Sequence, residues 1–259
     1  MSNYFDLINK NSKQKKFEMP NAKILLKRTQ YDFDLFFEHF KKRWRYFEVS
    51  PYRDKNTFGI ITDGMVIGCA FTPAPVSDPV LIQSAKDSVL WPHAEVHIAN
   101  HNAHVTVSLV CEKDPISTHV LFSKVIYSML HQKSAIGVYL NPGLLESAYY
   151  IKCCESLFSR KLPTELWVHI NCIDLEKDQG FSFYTLGMKK FGKKEFEMLE
   201  TTKKNFIDAY YFFKNIVRNT IENNIVFKDG DFLGNDADKI SLSVSKGVNL
   251  NESTIKINT

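Results

Sequence analysis

Phe58-Gly-Ile-Ile-Thr-Asp-Gly-Met-Val-Ile-Gly-Cys-Ala-Phe71 is the stretch of this sequence that most strongly indicates a fold. Two apolar runs, residues 58–62 and 65–71, flank the dipeptide Asp63-Gly64. Asp-Gly readily adopts the backbone angles of the two-residue turns that join antiparallel strands. The stretch therefore predicts a β-hairpin.

The segments on either side of the hairpin extend this pattern. Residues 22–28 alternate as a strand does, and a helix with phenylalanines at helical spacing is expected to begin at Thr29. After the hairpin come a proline-rich loop at residues 72–79, a helical segment that ends near Trp91-Pro92, and a buried strand at residues 104–111. The predicted order is β-α-β-β-α-β, which is the split βαβ order of ferredoxin-like folds.

The rest of the chain is expected to repeat this outline. Asn141 is a favourable helix N-cap and Pro142 suits a first helical position, so a helix is expected to begin there. The other expected elements are a helix over residues 117–131, strands over 136–140 and 166–173, a strand pair at 181–188 and 193–199 around Gly192, a helix over 203–219 and a strand over 240–244. The predicted fold class is α+β, with two ferredoxin-like (βαββαβ) halves whose mainly antiparallel sheets are covered by helices.

The predicted organisation is a polar N-terminal arm at residues 1–20, a first half at 21–115 and a second half at 116–259 that forms one compact unit with the first. With 44% hydrophobic and 24% charged residues, the composition is that of a globular protein. The longest apolar runs have the length of strands, so no membrane span is expected. The N-terminus lacks the continuous apolar centre of a secretory signal.

The five cysteines include no Cys-x-x-Cys pair, and Cys69, Cys111 and Cys172 lie in apolar, strand-like runs. Buried reduced thiols fit this pattern best, and the cytoplasm is therefore the expected compartment. A net charge of +4 and a pI near 8.6 are a mild basic excess. This excess does not by itself identify a partner.

The segment at residues 91–104 carries four of the eight histidines, and His93, His97 and His101 are spaced four residues apart. On a helix these three imidazoles share a face, where they can chelate zinc or another divalent ion. Glu95 can supply an outer carboxylate. A solvated helix face is the favoured interpretation, because no further ligand group is recognisable.

Two turns that contain glycine resemble ligand sites in part. Residues 184–192 combine two glycines, a hydroxyl and two lysines close to Glu195, as an anion site can. They lack the spacing of a P-loop, so a hairpin between strands is favoured. Residues 229–238 resemble a calcium loop, but Leu233 and Ile240 stand where an EF-hand needs an oxygen ligand and a glutamate.

Residues 41–47, Lys-Lys-Arg-Trp-Arg-Tyr-Phe, alternate cations with aromatic rings. Rings can stack on bases while cations contact phosphates, and Lys13, Lys15 and Lys16 can add to such a site. Cations at a helix C-terminus also complement the helix dipole, so a capped helix end is favoured over nucleic-acid binding. Neither Gly-x-Ser-x-Gly nor His-Glu-x-x-His occurs, and no catalytic residue or cofactor is predicted.

Several short motifs follow one another along the chain. They are Gly68-Cys-Ala-Phe-Thr-Pro-Ala-Pro75, Trp91-Pro92, His101-Asn-Ala-His104 running into Val105-Thr-Val-Ser, Val138-Tyr139, Tyr184-Thr-Leu-Gly-Met, Phe191-Gly-Lys-Lys-Glu195 and Gly230-Asp-Phe-Leu-Gly234. In order and spacing they resemble a bacterial family catalogued as domain of unknown function 4261. The resemblance extends from about residue 22 to the C-terminus, with Phe232 where the family pattern usually has threonine.

The resemblance implies no established activity, but relatives are similar to proteins that accompany secreted bacterial toxins. It implies a cytosolic immunity protein that binds a cognate toxin and occludes its active site. Because exposed loops host most binding residues, contacts are expected in the proline-rich loop and around Lys189. The candidate binding residues are Pro73, Pro75, Trp91, His101, His104, Tyr184, Thr185, Lys189, Lys190 and Glu195. The alternative is a metal-dependent enzyme with His93, His97 and His101 as ligands.

Overall fold

The computed structural model describes residues 20–45, 50–62, 65–88, 90–110, 114–175, 180–201, 206–234 and 239–258. The predicted N-terminal arm, apart from Pro20, and the Asp63-Gly64 turn lie outside these residues. The chain divides into two compact units, Met1–Cys154 and Glu155–Thr259. The sequence prediction divided the chain after residue 115; the next four elements, which are two helices and two strands and end at Cys154, belong to the first unit.

The first unit contains a seven-stranded sheet in which every neighbouring pair is antiparallel. Its strand order is β2-β3-β4-β5-β1-β6-β7. The strands are β1 Asn21–Leu26, β2 Ser50–Arg53, β3 Thr57–Thr62, β4 Met65–Thr72, β5 Ala103–Val110, β6 Ala135–Tyr139 and β7 Leu144–Glu146. The helices are α1 Phe33–Trp44, α2 Pro79–Lys86, α3 Ala94–Ile98, α4 Pro115–Leu130 and α5 Ser147–Cys154.

The hairpin prediction is confirmed, because β3 and β4 pair antiparallel with Thr62 opposite Met65. The α+β class and the antiparallel sheets are also confirmed. The predicted β-α-β-β-α-β elements occur in that order along the chain, with β2 and α3 in addition. Their order in the sheet is not that of a ferredoxin-like fold, since β4 and β5 are direct antiparallel neighbours and β5 lies between β4 and β1. A split βαβ unit would instead place another strand between β4 and β5.

Two helix starts differ from the prediction. Helix α1 begins at Phe33 rather than Thr29, because the Asp32 side chain accepts a hydrogen bond from the Leu35 backbone N–H and caps the helix. The helix predicted at Asn141 begins at Ser147 instead, and Asn141 and Pro142 lie in the turn before β7. Asn141 has a φ of +38°, which a capped helix start does not use.

Helix α1 packs its aromatic side onto the sheet. Its buried residues are Phe33, Phe36 and Phe40, at the spacing of one helix face. Phe33 and Phe36 contact Phe58 of β3, with ring centroids 4.2 and 5.4 Å apart. None of the helices in the described ranges has the length and hydropathy needed to cross a bilayer.

The second unit contains a six-stranded sheet of order β11-β12-β13-β10-β9-β8. Its elements are β8 His169–Leu175, β9 Gly180–Leu186, β10 Phe196–Thr201, helix α6 Phe206–Glu222, β11 Phe232–Leu233, β12 Ile240–Lys246, β13 Ser253–Asn258, and 3-10 helices at Glu155–Ser159, Thr164–Leu166 and Met188–Phe191. Strand β13 was not predicted, and it pairs parallel with β10 while the other neighbouring pairs are antiparallel. Phe213 of α6 packs against Phe183 and Phe196 of the sheet.

A stacked pair of histidines joins α1 to the end of α4 in the first unit. The rings of His39 and His131 lie 4.2 Å apart, centroid to centroid, at an interplanar angle of 21°. Burial, with smaller contributions from His131 and Arg43 as positive neighbours, lowers the pKa of His39 from 6.5 to about 4. The imidazole of His39 is therefore neutral in the folded protein at neutral pH.

The stability of the protein should consequently fall in acid. Between about pH 6.5 and 4 the unfolded chain binds more protons at His39 than the folded chain, so the free energy of unfolding decreases as pH falls through this window. The variant His39→Phe keeps a ring beside His131 but cannot be charged. It should lose less stability than the wild type between about pH 7 and 4 in urea denaturation, whereas the exposed control His93→Phe should follow the wild type. Equal losses in the wild type and His39→Phe would contradict this assignment.

Candidate functional site

The proline loop, residues 72–79, is held from inside by two histidines. The backbone N–H of Val76 donates to His101 Nε2 at 2.7 Å, and His101 Nδ1–H donates to the carbonyl of Ile98. His104 Nδ1–H donates to the carbonyl of Ala74 at 2.9 Å. These acceptors assign the proton of each neutral ring to Nδ1. Both ring nitrogens of His101 are occupied, and the side chain is only 7% exposed.

Trp91 lies in the core cluster that includes Val76. It stacks on His97 at 5.6 Å between centroids. A Cβ atom added to Gly137 would lie 2.5 Å from the indole ring, so the close approach of Trp91 requires a glycine there. Trp91 is 3% exposed and therefore supports the proline loop rather than presenting itself to a ligand.

The end of the proline loop is held by Asp78, which caps α2. Its carboxylate accepts from the Val80 backbone N–H at 2.9 Å and from the Tyr139 hydroxyl at 3.2 Å. Burial and the nearby Asp78 carboxylate raise the pKa of Tyr139 to about 12, so the hydroxyl stays protonated and remains a donor. The loop is thus fastened at Ala74, Val76 and Asp78.

The outward side of the same loop is apolar. Pro73, Ala74 and Pro75 are exposed, and Val80 and Ile82 of α2 expose about half of their surface, at 47% and 54%. Exposed apolar groups on a braced backbone are the type of surface that protein partners bury.

The three histidines of the metal hypothesis do not share a helix face. Helix α3 covers only Ala94–Ile98; His93 precedes it with a φ of +59°, and His101 follows it. His101 also has no lone pair available to a metal, because Nε2 accepts from Val76 and Nδ1 carries a proton. Within the ranges that the structure describes, no three His, Cys, Asp or Glu side chains are grouped to hold a metal ion.

The lysine loop, residues 187–194 of the second unit, is organised by one buried carboxylate. Glu195 is 2% exposed, and each of its oxygens accepts two hydrogen bonds. Oε1 accepts from the backbone N–H groups of Gly187 at 2.9 Å and Lys189 at 3.3 Å. Oε2 accepts from the Thr185 hydroxyl at 2.7 Å and the Met188 N–H at 3.2 Å. The anion in this protein is therefore its own glutamate, bound by a concave run of backbone N–H groups.

Packing fixes the same loop from below. Gly187 has a φ of +126°, and a Cβ atom there would lie 2.7 Å from the Trp167 carbonyl oxygen, so only glycine fits. Met188 is buried, and Phe191 stacks on Trp167 at 5.7 Å. The Lys193 ammonium donates to Asn224 Oδ1 at 2.6 Å, and burial lowers the pKa of Lys193.

Cations occupy the outward side of the lysine loop. Lys189 and Lys194 are exposed and Lys190 is half-buried. The Lys189 ammonium pairs with Glu252 at 2.5 Å. Tyr184 lies on the face of β9 opposite to Thr185, because successive strand residues point to opposite faces. The structure thus brings Thr185, Glu195 and the backbone of Lys189 together, and Tyr184 is not part of this arrangement.

Glu197 is a second buried acid that the sequence analysis did not assign to a role. It is fully buried and accepts from the backbone N–H groups of Val248 at 3.0 Å and Asn249 at 2.8 Å, and from the Thr254 hydroxyl at 3.1 Å. The Lys256 ammonium of β13 contacts the same carboxylate, and burial lowers the pKa of Lys256. In the sequence, the alternation Glu195-Phe196-Glu197 at the start of a strand was the signal that both acids lie on the same side of it.

The turn that resembled a calcium loop also uses its acids internally. Asp229 Oδ1 accepts from the Val244 backbone N–H at 2.8 Å, and Asp231 Oδ2 accepts from the Lys228 N–H at 2.7 Å. The remaining acids, Asp236 and Asp238, lie outside the described residues. The Asp229 carboxylate holds the turn against β12, and the Asp231 carboxylate closes the turn itself.

Part of the second unit matches the model of a known protein family. The family model described as Domain of unknown function (DUF4261) matches residues 184–258, which confirms the predicted resemblance over that segment. The motifs that begin at Tyr184, Phe191 and Gly230 lie within the match, and the motifs before residue 184 lie outside it. No curated protein matches the chain, and no solved structure does.

The conformation of the lysine loop should depend on the charge of Glu195. The variant Glu195→Gln has one acceptor oxygen instead of two, so at least one buried N–H loses its partner. We expect a loss of about 3 kcal/mol in the free energy of unfolding and faster amide exchange at Gly187, Met188 and Lys189. The control Glu252→Gln removes an exposed ion pair and should cost less than about 1 kcal/mol. Equal effects of the two variants in urea denaturation would show that Glu195 does not organise the loop.

Proposed function

We propose that this protein, whose residues 184–258 match the family of domain of unknown function 4261, is a cytoplasmic protein-binding protein. In this proposal it is an immunity protein that neutralises a cognate bacterial toxin by occluding its active site. One observation carries the proposal: the backbones of two loops, the proline loop and the lysine loop, are held by the buried side chains of His101 and Glu195 and by the half-buried side chain of His104. The sequence resemblance supports the same direction.

A loop that is already held in one conformation loses less conformational entropy when a partner binds. Ordering a flexible loop when a partner binds costs free energy, about 1–2 kcal/mol for each residue whose backbone becomes fixed. In the proline loop this cost has already been met, because Ala74, Val76 and Asp78 are held by His104, His101 and Tyr139. Occlusion requires such a preorganised surface, since its affinity comes from complementary shape and not from turnover.

The polar groups that favoured a chemical role in the sequence are occupied in the structure. His101 uses both ring nitrogens, and Glu195 receives four donors. These contacts support a structural role for both side chains. They do not favour the alternative of a metal-dependent enzyme, which would need His101 as a ligand. A cytoplasmic location agrees with Cys69, Cys153, Cys154 and Cys172, which are free thiols.

The proposal is tested with the product of the adjacent gene, co-expressed with the full chain. We expect the two proteins to co-purify, and we expect growth arrest by that product to be relieved by the wild-type chain. Pro75→Glu and Lys189→Glu each place a negative charge on the outward side of one loop and leave the hydrogen bonds to the loop backbone intact; Lys189→Glu also breaks the ion pair with Glu252. At least one of them should weaken the complex about tenfold or more in titration calorimetry.

Two matched variants control this experiment. Pro51→Glu changes an exposed proline of β2, and Lys246→Glu makes the same charge reversal on an exposed lysine of β12. Both should bind as the wild type does. The immunity hypothesis is wrong if the adjacent gene product is equally lethal with and without this protein. Binding that survives both loop variants would remove the two loops from the interface.

The metal alternative has its own test. Removing the ring in His101→Ala leaves the buried Val76 N–H without an acceptor and should lower the free energy of unfolding by about 1–3 kcal/mol. His97→Ala, at an exposed position, is the control and should cost less. Elemental analysis of the three proteins should find no metal that these substitutions release. One equivalent of zinc, lost in both variants, would establish the metal site instead.

A further inference from the structure

The C-terminal end of α1 and the middle of α4 form a strongly cationic surface, which we call the basic seam. It comprises Lys41, Lys42, Arg43, Trp44, Arg45 and Lys124. Glu38, one turn earlier in α1, is the nearest acid in the helix, and α4 contains no aspartate or glutamate. Within residues 38–45 and α4, five cations stand against Glu38, so this part of the first unit is locally basic.

An indole ring lies within this charge. The Nε1–H of Trp44 donates to Ser128 Oγ at 3.2 Å, and its ring meets Tyr127 edge-on at 5.2 Å, so α4 fixes its orientation. The Lys124 ammonium lies 5.4 Å from the Trp44 ring centroid. Trp44 is half-buried, whereas Trp91 and Trp167 are 3% and 5% exposed. It is the tryptophan of the three that a ligand can reach.

Helix capping explains only part of this surface. Lys41, Lys42 and Arg43 in the last turn of α1 complement the helix dipole. Lys124 belongs to another helix and lies away from its ends, so no dipole accounts for it. Arg45 has a φ of +56°, in the region that favours glycine. The helix end thus keeps a cation at a position where glycine would relieve backbone strain.

The pKa of the neighbouring His39 is also affected by the positive charge of this surface. His39 and His131 stack beside Tyr127, and both Arg43 and His131 oppose the charging of His39. Such a surface favours a ligand that brings negative charge.

We propose that the basic seam binds single-stranded nucleic acid, with phosphates contacting Arg43, Arg45 and Lys124 and one base stacking on Trp44. Guanidinium groups match phosphate geometry, and an indole ring provides a platform for an unpaired base. A duplex hides its base faces, and a carboxylate side chain does not combine a negative charge with a flat ring in one repeating unit, as a nucleotide does. The sequence analysis favoured a capped helix end over nucleic-acid binding because the cations follow one another in the last turn of one helix. The fold adds Lys124, which is distant in sequence, beside Trp44.

The test titrates the full chain into a labelled single strand of about 12 nucleotides and follows anisotropy at about 50 and 200 mM salt. We expect binding at low salt, a decrease of log K with log salt of slope about −2 to −3, and quenching of tryptophan fluorescence that Trp44→Phe abolishes. Arg43→Glu should weaken binding about tenfold. Lys86→Glu makes the same charge change on an exposed lysine of α2 and should leave affinity within about twofold. Thermal melts verify folding, and Lys124→Gln replaces Arg43→Glu if that variant does not fold.

Each remaining outcome overturns the proposal. These outcomes are no binding at low salt, equal weakening by Lys86→Glu, and quenching that persists in Trp44→Phe. Tighter binding of a duplex of the same length would show that the seam contacts the phosphate backbone and that no base stacks on Trp44. Equal affinity for an oligoglutamate of about 12 residues would assign the seam to an acidic protein partner.

Discussion

A carboxylate removed from water must find donors, and in the second unit this constraint determines the conformation of two loops. Glu195, immediately before β10, and Glu197, within it, lie on the same side of a strand that has neighbours on both edges. A buried charge without partners costs several kcal/mol, more than a single turn conformation contributes. The backbone of residues 187–189 therefore turns its N–H groups toward Glu195, and that of residues 248–249 turns toward Glu197. Lys256 adds a countercharge to the second of these sites.

In the first unit, neutral histidine side chains rather than carboxylates hold the proline loop in place. His101 and His104 each bond to the backbone of the proline loop, and a neutral imidazole is cheaper to bury than a carboxylate. Burial lowers the pKa of His104, although its hydrogen bond to Ala74 acts in the opposite direction, so the ring stays neutral at neutral pH. A neutral ring can both donate and accept, which lets His101 join Val76 to Ile98. A carboxylate in that place could only accept.

Local signals in the sequence predicted the local parts of the fold. The Asp63-Gly64 dipeptide indicated the pairing of β3 with β4, and the apolar run at residues 104–111 indicated β5. The position of β5 between β4 and β1 depends on long-range pairing, for which no short motif exists. Strand β13 was missed although Ile255 and Ile257 alternate with Lys256 as strand residues do. Its lysine is buried against Glu197, a long-range contact that the sequence does not reveal. The predicted site residues share this limit, since pattern alone does not reveal whether Glu195 or His101 faces a ligand or its own backbone.

The inward and outward sides of the two loops can consequently change independently. Pro75 and Lys189 contribute side chains to the surface, while the backbone beside them is held by Glu195 or by the histidines. A substitution of an exposed side chain removes no buried hydrogen bond, so its cost in stability is small, usually within about 0.5 kcal/mol. The same substitution can change the affinity for a partner by far more, because recognition depends on the groups that the surface presents. Under the proposed binding function, a scaffold of this design keeps its fold while its specificity varies.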